Sequence, residues 1–404
     1  MSPTATRLAL AALAVLAGVP AAAQNRPAAA RFEVVGRAPV THTRTTDLAV
    51  FRGVDGRDYA YTGTFAGCPG CRAGRMYAWD VTDPAHPRLT DSVTVDALTV
   101  NDVAVNAAGT LAVLTREGAR SQRNGIVVLD LKDPAHPRQV GEYWETLTGG
   151  AHNVWLDGDK AYVVDQGGSE MAIIDLAMPN DPLEIGRWGV PNSPNRFLQD
   201  VAVKDGLAYL SYWNDGLVIV DVGNGVREGT PRRPKLVGQY RYRVEWRGER
   251  YGNTAYAFPY TNQAGKKYVF VGDQIMPRMA NLGQRFDTGG YVHVLDVSDP
   301  AVPREVAAYS APSSGVHSFW IANDTMYVAA WTGGLRAVDV SGQLSGDLRN
   351  REIASLSTTD EQTAVRNFPF AWAAVPHNGL VFASDFNSGL WIARLVPGST
   401  AATP

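Results

Sequence analysis

The stretch Asn214-Asp-Gly-Leu-Val-Ile-Val-Asp221 decides the fold, because related stretches return along the whole chain. Each is a short β-branched and aromatic run entered through Gly, Asn or Ser, which is typical of a buried strand after a tight turn. Six further stretches share this pattern: Gly74–Asp80, Asn124–Asp130, Ser169–Asp175, Gly290–Asp296, Gly334–Asp339 and a degenerate copy at Gly389–Arg394.

Each copy belongs to a unit of four predicted strands. A turn rich in Asp and Pro follows most copies, as in Asp83-Pro-Ala-His-Pro-Arg88, and then comes an outer strand such as Leu236–Tyr240. Two strands precede each copy, for example Asp200–Val203 and Leu207–Leu210. An antiparallel unit of about 50 residues repeated in series is typical of a β-propeller blade.

The sequence therefore predicts an all-β fold, a seven-bladed β-propeller of four-stranded antiparallel blades. The chain leaves the seventh blade one strand short, whereas Phe32–Gly36 has no partner near it in sequence. We expect this N-terminal strand to pair into the last blade, which would close the ring and cover an exposed edge. The predicted propeller spans residues 31–398 as one domain, followed by a disordered tail at 399–404.

The units resemble the LVIVD-repeat family of exported β-propellers. The resemblance is carried by Gly216-Leu-Val-Ile-Val-Asp221, by three Asp-Pro-Ala-x-Pro turns and by two Asp-Val-Ala-Val strands. It implies a propeller and a location outside the cytoplasm, but no settled activity and no catalytic residues. The chain departs from the pattern at Arg394, which replaces the strand-ending Asp, and at Ser341–Asn350, which replaces the proline turn.

Residues 1–23 have the pattern of a signal peptide. Arg7 precedes the apolar run Leu8–Val19, and Ala21-Ala22-Ala23 provides a small-residue cleavage site. The run is too short to span a bilayer, so we expect a periplasmic or extracellular protein without a transmembrane anchor. Residues 24–30 are predicted to be a short tether. The charge is nearly balanced, at 37 basic and 40 acidic residues, and does not indicate nucleic acid as a partner.

The only two cysteines, Cys68 and Cys71, lie in a Gly-rich loop. A disulfide between them is the favoured interpretation for an exported protein, and a metal or thiol-exchange role is the alternative. Covalent haem attachment would need His after the second cysteine, where Arg72 stands, so we expect no haem. Nothing in the sequence indicates a nucleotide.

Propellers commonly bind ligands at the end where the loops into the innermost strands and the loops between the second and third strands lie, which we call the mouth. We predict that a small polar or anionic molecule, or another exported or cell-surface protein, binds there. The anionic preference rests on arginines near the mouth, including Arg120 and Arg123. The candidate ligand-binding residues are Asp102, Arg116, His152, Arg196, Asp200, Tyr212, Trp213, Asn214, His317 and Trp331.

A tier of polar side chains is predicted where the innermost strands begin: Asp47, Asp102, Asn153, Asp200, Asn253 and His317. Hydrogen bonding to backbone is the favoured role for these groups. The alternative is a site for calcium or another divalent cation, with Asp47, Asp102, Asp200, His152 and His317 as candidate ligands. A non-catalytic binding protein is accordingly the favoured function, and a metal-assisted hydrolase or lactonase with its site at the mouth is the alternative.

Overall fold

A computed structural model describes residues 30–66, 74–191, 197–277 and 284–398. The predicted signal peptide, nearly all of the tether, the Cys68–Cys71 pair, Arg196 and the tail at 399–404 lie outside these ranges. The described part contains one helical element, a single 3-10 turn at Arg349–Arg351. None of it has the length and hydropathy of a membrane-spanning helix.

The described strands form seven antiparallel four-stranded blades around a central channel, as predicted. Blades one and two contain β2 (Arg44–Arg52), β3 (Asp58–Phe65), β4 (Arg75–Asp80), β5 (Arg88–Thr94), β6 (Val103–Val105), β7 (Leu111–Arg116), β8 (Gly125–Asp130) and β9 (Arg138–Tyr143). Blades three and four contain β10 (Ala151–Asp157), β11 (Lys160–Asp165), β12 (Glu170–Asp175), β13 (Leu183–Trp188), β14 (Leu198–Lys204), β15 (Leu207–Tyr212), β16 (Gly216–Asp221) and β17 (Lys235–Tyr240).

Blades five to seven follow the same order, with additions to blade five. Their strands are β20 (Thr254–Thr261), β21 (Lys267–Asp273), β22 (Val292–Asp296), β23 (Arg304–Tyr309), β24 (Ser318–Ala322), β25 (Thr325–Ala329), β26 (Leu335–Asp339), β28 (Glu352–Leu356), β29 (Ala371–His377), β30 (Leu380–Asp385) and β31 (Gly389–Pro397). Before blade five, β18 (Val244–Trp246) and β19 (Glu249–Tyr251) form a separate hairpin. The short β27 (Gly346–Asp347) adds to the outer edge of blade five in parallel.

The N-terminal strand closes the ring, as the sequence predicted. Strand β1 (Ala30–Pro39) pairs with β31 from Ala30 opposite Pro397 to Pro39 opposite Gly389. The strand is longer than the expected Phe32–Gly36 core and begins one residue before the predicted domain boundary. The innermost strands of neighbouring blades contact one another in an unbroken circle from β2 through to β29 and back to β2.

Apolar side chains fill the spaces between the blades. In the described ranges, seven buried clusters lie one between each pair of neighbouring blades, including the pair formed by blades seven and one. Because each blade presents apolar residues on both faces, the middle strands read as continuous hydrophobic runs. In the opening stretch, Leu217 to Val220 are at most 1% exposed.

Asp221 ends its strand and organises the turn after it. Its carboxylate accepts hydrogen bonds from five backbone N–H groups between Gly223 and Gly229, at 2.8 to 3.2 Å. These bonds outweigh partial burial and lower the pKa of Asp221 to about 2. This contact set supports a structural role for the aspartate that ends the repeat motif.

Glycines in the outer strands allow neighbouring blades to meet. A Cβ atom on Gly186 of blade three would lie 2.0 Å from the carbonyl oxygen of Pro231, in the turn of blade four. Gly141 of blade two stands in the same relation to Pro179 of blade three, again at 2.0 Å. The absence of a side chain leaves room for the turn of the next blade, and we call each such position a glycine seat. Any side chain there would force the two blades apart.

Candidate functional site

One ring of side chains lines the channel where the innermost strands begin. We call it the channel ring, and it takes one residue from each blade: Asp47, Asp102, Asn153, Asp200, Tyr256, Ser318 and Ala373. The predicted tier is thus confirmed for four blades and corrected for two. Tyr256 holds the position expected for Asn253, because the β-bulge that precedes Asp200 in blade four recurs between Thr254 and Tyr256 in blade five and makes Tyr256 the counterpart of Asp200. In blade six Ser318 lines the channel instead of His317.

Hydrogen bonds within the channel ring join neighbouring blades. The Asp102 carboxylate accepts from the backbone N–H of Val154 in the next blade at 2.8 Å. The Asn153 amide donates to Asp200 Oδ1 at 2.8 Å and accepts at Oδ1 from Asn101, also at 2.8 Å. The Asp102 contact agrees with the predicted hydrogen bonding of the tier to backbone, whereas the Asn153 contacts join side chains.

The three carboxyl groups of the channel ring are buried, and burial disfavours their ionised forms. Burial raises the pKa of Asp102 to about 6, against the opposing effect of backbone N–H groups. Burial and the charge of Asp102 raise the pKa of Asp200 to about 7. Burial, followed by the charge of Asp102, raises the pKa of Asp47 well above its ordinary value. The ring therefore carries a partial negative charge at neutral pH.

Below the channel ring the channel becomes apolar and keeps an open cavity. Two residues further along their strands, Trp155 and Trp320 reach in from opposite blades, with ring centres 6.3 Å apart and planes inclined by 14°. Ala49 and Ala104 occupy the corresponding positions in blades one and two and leave space. The resulting cavity has a volume of about 270 Å³ and is lined by the channel ring, by these indole rings and by residues further along the strands, such as Phe51 and Pro376.

The candidate metal ligands do not assemble into a metal centre. In the ranges that the structure describes, no group of three or more His, Cys, Asp or Glu side chains is arranged to hold a metal ion. The carboxylates of Asp102 and Asp200 are engaged with backbone and amide groups, as described above. A calcium site at the channel therefore remains a prediction from the sequence.

His152 lies at the mouth above the channel ring, in a network of side chains. Its Nδ1 is 2.6 Å from a carboxylate oxygen of Glu117, and its Nε2 is 2.7 Å from the amide nitrogen of Gln199. With the imidazole proton on Nδ1, Glu117 accepts and the Gln199 amide donates. Phe197 covers one side, with ring centres 6.2 Å apart.

His317 is enclosed by aromatic rings on the opposite side of the mouth. Its ring centre lies 4.4 Å from that of Trp331 and 4.5 Å from that of Trp372, and its Nδ1 bonds the Trp372 carbonyl oxygen. Burial lowers the pKa of His317 to about 3, so the ring is neutral at physiological pH. Trp331 is 1% exposed and adopts φ 42°, which indicates a packed position rather than a free ligand contact.

Only part of the stretch that leads into the repeat strand of blade four is exposed at the mouth. Tyr212 is fully buried and donates its hydroxyl to the Ser169 carbonyl oxygen at 3.0 Å. Trp213 is half-buried and meets Phe197 edge to face, with ring centres 6.0 Å apart. Asn214 is exposed. Of these three residues, Trp213 and Asn214 can contact a molecule at the mouth.

Two of the arginines predicted to make the mouth positive, Arg116 and Arg123, are paired with a carboxylate. Arg116 is 4% exposed and donates to Glu142 at 2.8 Å, and Arg123 donates to the same carboxylate at 3.0 Å. One glutamate thus serves two guanidinium groups at the outer side of blade two. Neither Arg116 nor Arg123 belongs to the lining of the channel cavity, which contains the carboxyl groups of Asp47, Asp102 and Asp200.

The residues that complete the site were missed for a specific reason. Tyr256 and Ser318 were overlooked because the channel position holds Asp or Asn in blades one to four but neither residue in blades five and six, so the polar residues Asn253 and His317 nearby were aligned in its place. Trp155 and Trp320 were not singled out, although each stands two positions after a channel-ring residue, where blades one, two and four have Ala. A register-aware alignment of the seven repeats would have shown both substitutions.

Solved structures similar to this chain share its fold at low sequence identity. Two are named "putative 6-phosphogluconolactonase", from Bacteroides fragilis NCTC 9343 and Bacteroides uniformis ATCC 8492, each with 10% identity and a TM-score of 0.56. This chain is covered to 86% and 81%, and the other chains to 89% and 88%. The computationally designed Ika8 protein matches with 10% identity and a TM-score of 0.52, over 89% of this chain and 98% of its own.

The sequence comparison identifies the repeat itself. No curated protein matches the chain. The LVIVD repeat matches residues 148–189, 196–241, 287–311 and 316–345. These segments correspond to blades three and four, the second half of blade five, and most of blade six. The chain therefore contains LVIVD repeats, and these repeats form blades of a seven-bladed β-propeller.

Proposed function

We propose that this chain is an exported binding protein that takes a small polar molecule into its axial channel without transforming it. The observation that carries the proposal is the cavity of about 270 Å³ that the channel ring and the indole rings of Trp155 and Trp320 line. A few polar groups converge there on a largely apolar concave surface, which is the usual composition of a small-molecule site.

The rigid ring supports a binding role. Hydrogen bonds from Asp102 and Asn153 fix the channel ring to neighbouring strands, so the polar groups are held in place before a ligand arrives. Such preorganisation reduces the ordering that binding requires. The location outside the cytoplasm rests on the signal-peptide pattern of residues 1–23 and on the setting that the repeat family implies.

The test is a thermal-shift screen of small cationic, neutral and anionic compounds against the mature protein, followed by calorimetry on any that bind. Ala104→Leu fills the cavity and should weaken a compound that binds there by at least tenfold. Ala107→Leu adds the same atoms on an exposed turn and should leave its affinity unchanged. If no compound binds, or if Ala104→Leu has no effect on binding, the proposal fails.

One observation favours a second candidate, a hydrolase or lactonase with its site at the mouth. Glu117 and His152 form a carboxylate–imidazole pair at 2.6 Å, the arrangement that orients a general base. The similar structures named as lactonases add only a shared fold at their level of identity. Turnover of a lactone panel that His152→Gln abolishes, and that His86→Gln in an exposed outer turn does not, would support this candidate over simple binding.

A further inference from the structure

We propose that the molecule bound in the channel is a small organic cation, a primary ammonium compound with a short apolar stem. This inference rests on the proposed function and gives the ligand its chemical class. It follows from three properties of the cavity: its carboxyl groups without a basic residue in the lining, its acceptor oxygens with few hydrogen bonds, and the indole rings in its lining.

Charge is the first property. Asp47, Asp102 and Asp200 all line the cavity, and none of its described lining residues is Lys, Arg or His. After burial, the charge of Asp102 also raises the pKa of Asp47 and of Asp200, which shows that these carboxyl groups lie close enough to repel one another. A cation placed among them would offset both this repulsion and the loss of hydration, whereas a carboxylate or phosphate would add to the repulsion.

Hydrogen-bonding capacity is the second property. In the described part of the chain, the Asp47 carboxylate accepts one bond, from the backbone N–H of Leu48 at 2.7 Å. The Tyr256 hydroxyl also lines the cavity and makes no hydrogen bond with a described residue. An ammonium group offers three donors, so one ligand can bond to several of these oxygens at once.

The aromatic part of the lining is the third property. Trp155 and Trp320 present their rings to the cavity, and Phe258 packs against Trp320 with ring centres 5.0 Å apart. Indole faces attract cations and also cover apolar stems. The volume of about 270 Å³ is just below the range of about 300 to 1,000 Å³ that holds drug-sized ligands, so the bound molecule is small.

Calorimetry of the full mature protein at pH 8 with n-butylammonium, n-butanol and n-pentanoate provides the test. We expect n-butylammonium to bind and the other two compounds to bind at least tenfold more weakly. Affinity for the ammonium ion should fall by tenfold or more between pH 8 and pH 5, as the channel carboxylates become protonated. Asp47→Asn should reduce it at least tenfold at pH 8.

Asp205→Asn is the matched control, because Asp205 is an exposed carboxylate with φ 53°, a backbone conformation that asparagine tolerates. Its affinity should equal that of the unmodified protein. If Asp47→Asn does not fold, Tyr256→Phe removes one cavity acceptor and should weaken binding at least threefold.

The outcomes separate the two proposals. Preferential binding of n-pentanoate or n-butanol, weakened by Ala104→Leu, would overturn the cation while leaving a binding function in place. Ammonium binding that neither Asp47→Asn nor a change of pH alters would also overturn this inference. If the broad screen finds no ligand at all, both proposals fail together.

Discussion

Replacing Asp200 by Asn should stabilise the protein at alkaline pH and not at acid pH. Asp200 is 5% exposed, and burial raises its pKa from the ordinary 3.8 to about 7. A carboxyl group whose pKa is higher in the folded state stabilises the fold while it is protonated. That contribution is complete below the unfolded pKa and is lost as the pH rises through the folded pKa.

The size of the effect follows from this shift. Each pKa unit corresponds to about 1.4 kcal/mol, so ionised Asp200 lowers the free energy of unfolding by about 4 kcal/mol at high pH, as an order of magnitude. Linkage places about 2.5 kcal/mol of this loss between pH 5 and pH 8. Asparagine cannot ionise, but its NH₂ replaces one acceptor oxygen, which costs about 1 to 3 kcal/mol. We therefore expect a net gain of about 1 to 3 kcal/mol at pH 8.

Urea unfolding of the ligand-free protein at pH 5, 6, 7 and 8 measures this difference. The unmodified protein should lose stability as the pH rises over this range, and Asp200→Asn should lose about 2 to 3 kcal/mol less. Asp102, Asp273 and Asp385 have pKa values raised to about 6 and add to the slope of both proteins, so only the difference between the curves is informative. Parallel curves for the two proteins would refute the reasoning.

Three other predictions concern the fold and its processing. Gly186→Ala places a methyl group 2.0 Å from the Pro231 oxygen and should lower the free energy of unfolding in urea by about 3 kcal/mol or more. The control Gly158→Ala meets no atom within 4 Å and should cost only the strain of φ +60, about 1 kcal/mol. Removal of residues 30–39 from the mature chain should expose the edge of β31 and yield an aggregating protein by light scattering, in contrast to removal of 24–29. N-terminal sequencing of the exported protein should begin at Gln24, and a start at Met1 would contradict the signal-peptide prediction.

The repeat architecture was predictable because its signals are local. Asp-Pro turns bend the chain by contacts within a few residues: Asp83 accepts from the N–H of Ala85 at 3.1 Å, and Asp133 accepts from that of Ala135 at 3.2 Å. Strands that are apolar on both faces indicate burial between neighbours. Together these features determine the number of blades and the place where the ring closes.

The site was less predictable because it depends on register and on distant partners. Tyr256 lines the channel three residues after the expected Asn253, because blade five lacks the Asp or Asn that marks this position in blades one to four. The environment of Arg116 depends on Glu142, which lies 26 residues away in another strand of its blade. The chemistry of the channel therefore emerges only when seven strands are brought together in three dimensions.

The glycine seats between blades give the ring a direction. Each seat lies on one blade and receives a turn from the blade that follows it, so the contact joins two unlike surfaces, head to tail. Repeated head-to-tail contacts form a closed ring when the rotations between successive units add up to a full turn. Otherwise they continue into open filaments. Closure by β1 thus leaves no free seat and no free turn at the junction of blades seven and one, where Gly36 receives Pro84. A chain lacking one internal blade should retain complementary free surfaces and assemble with other copies of itself.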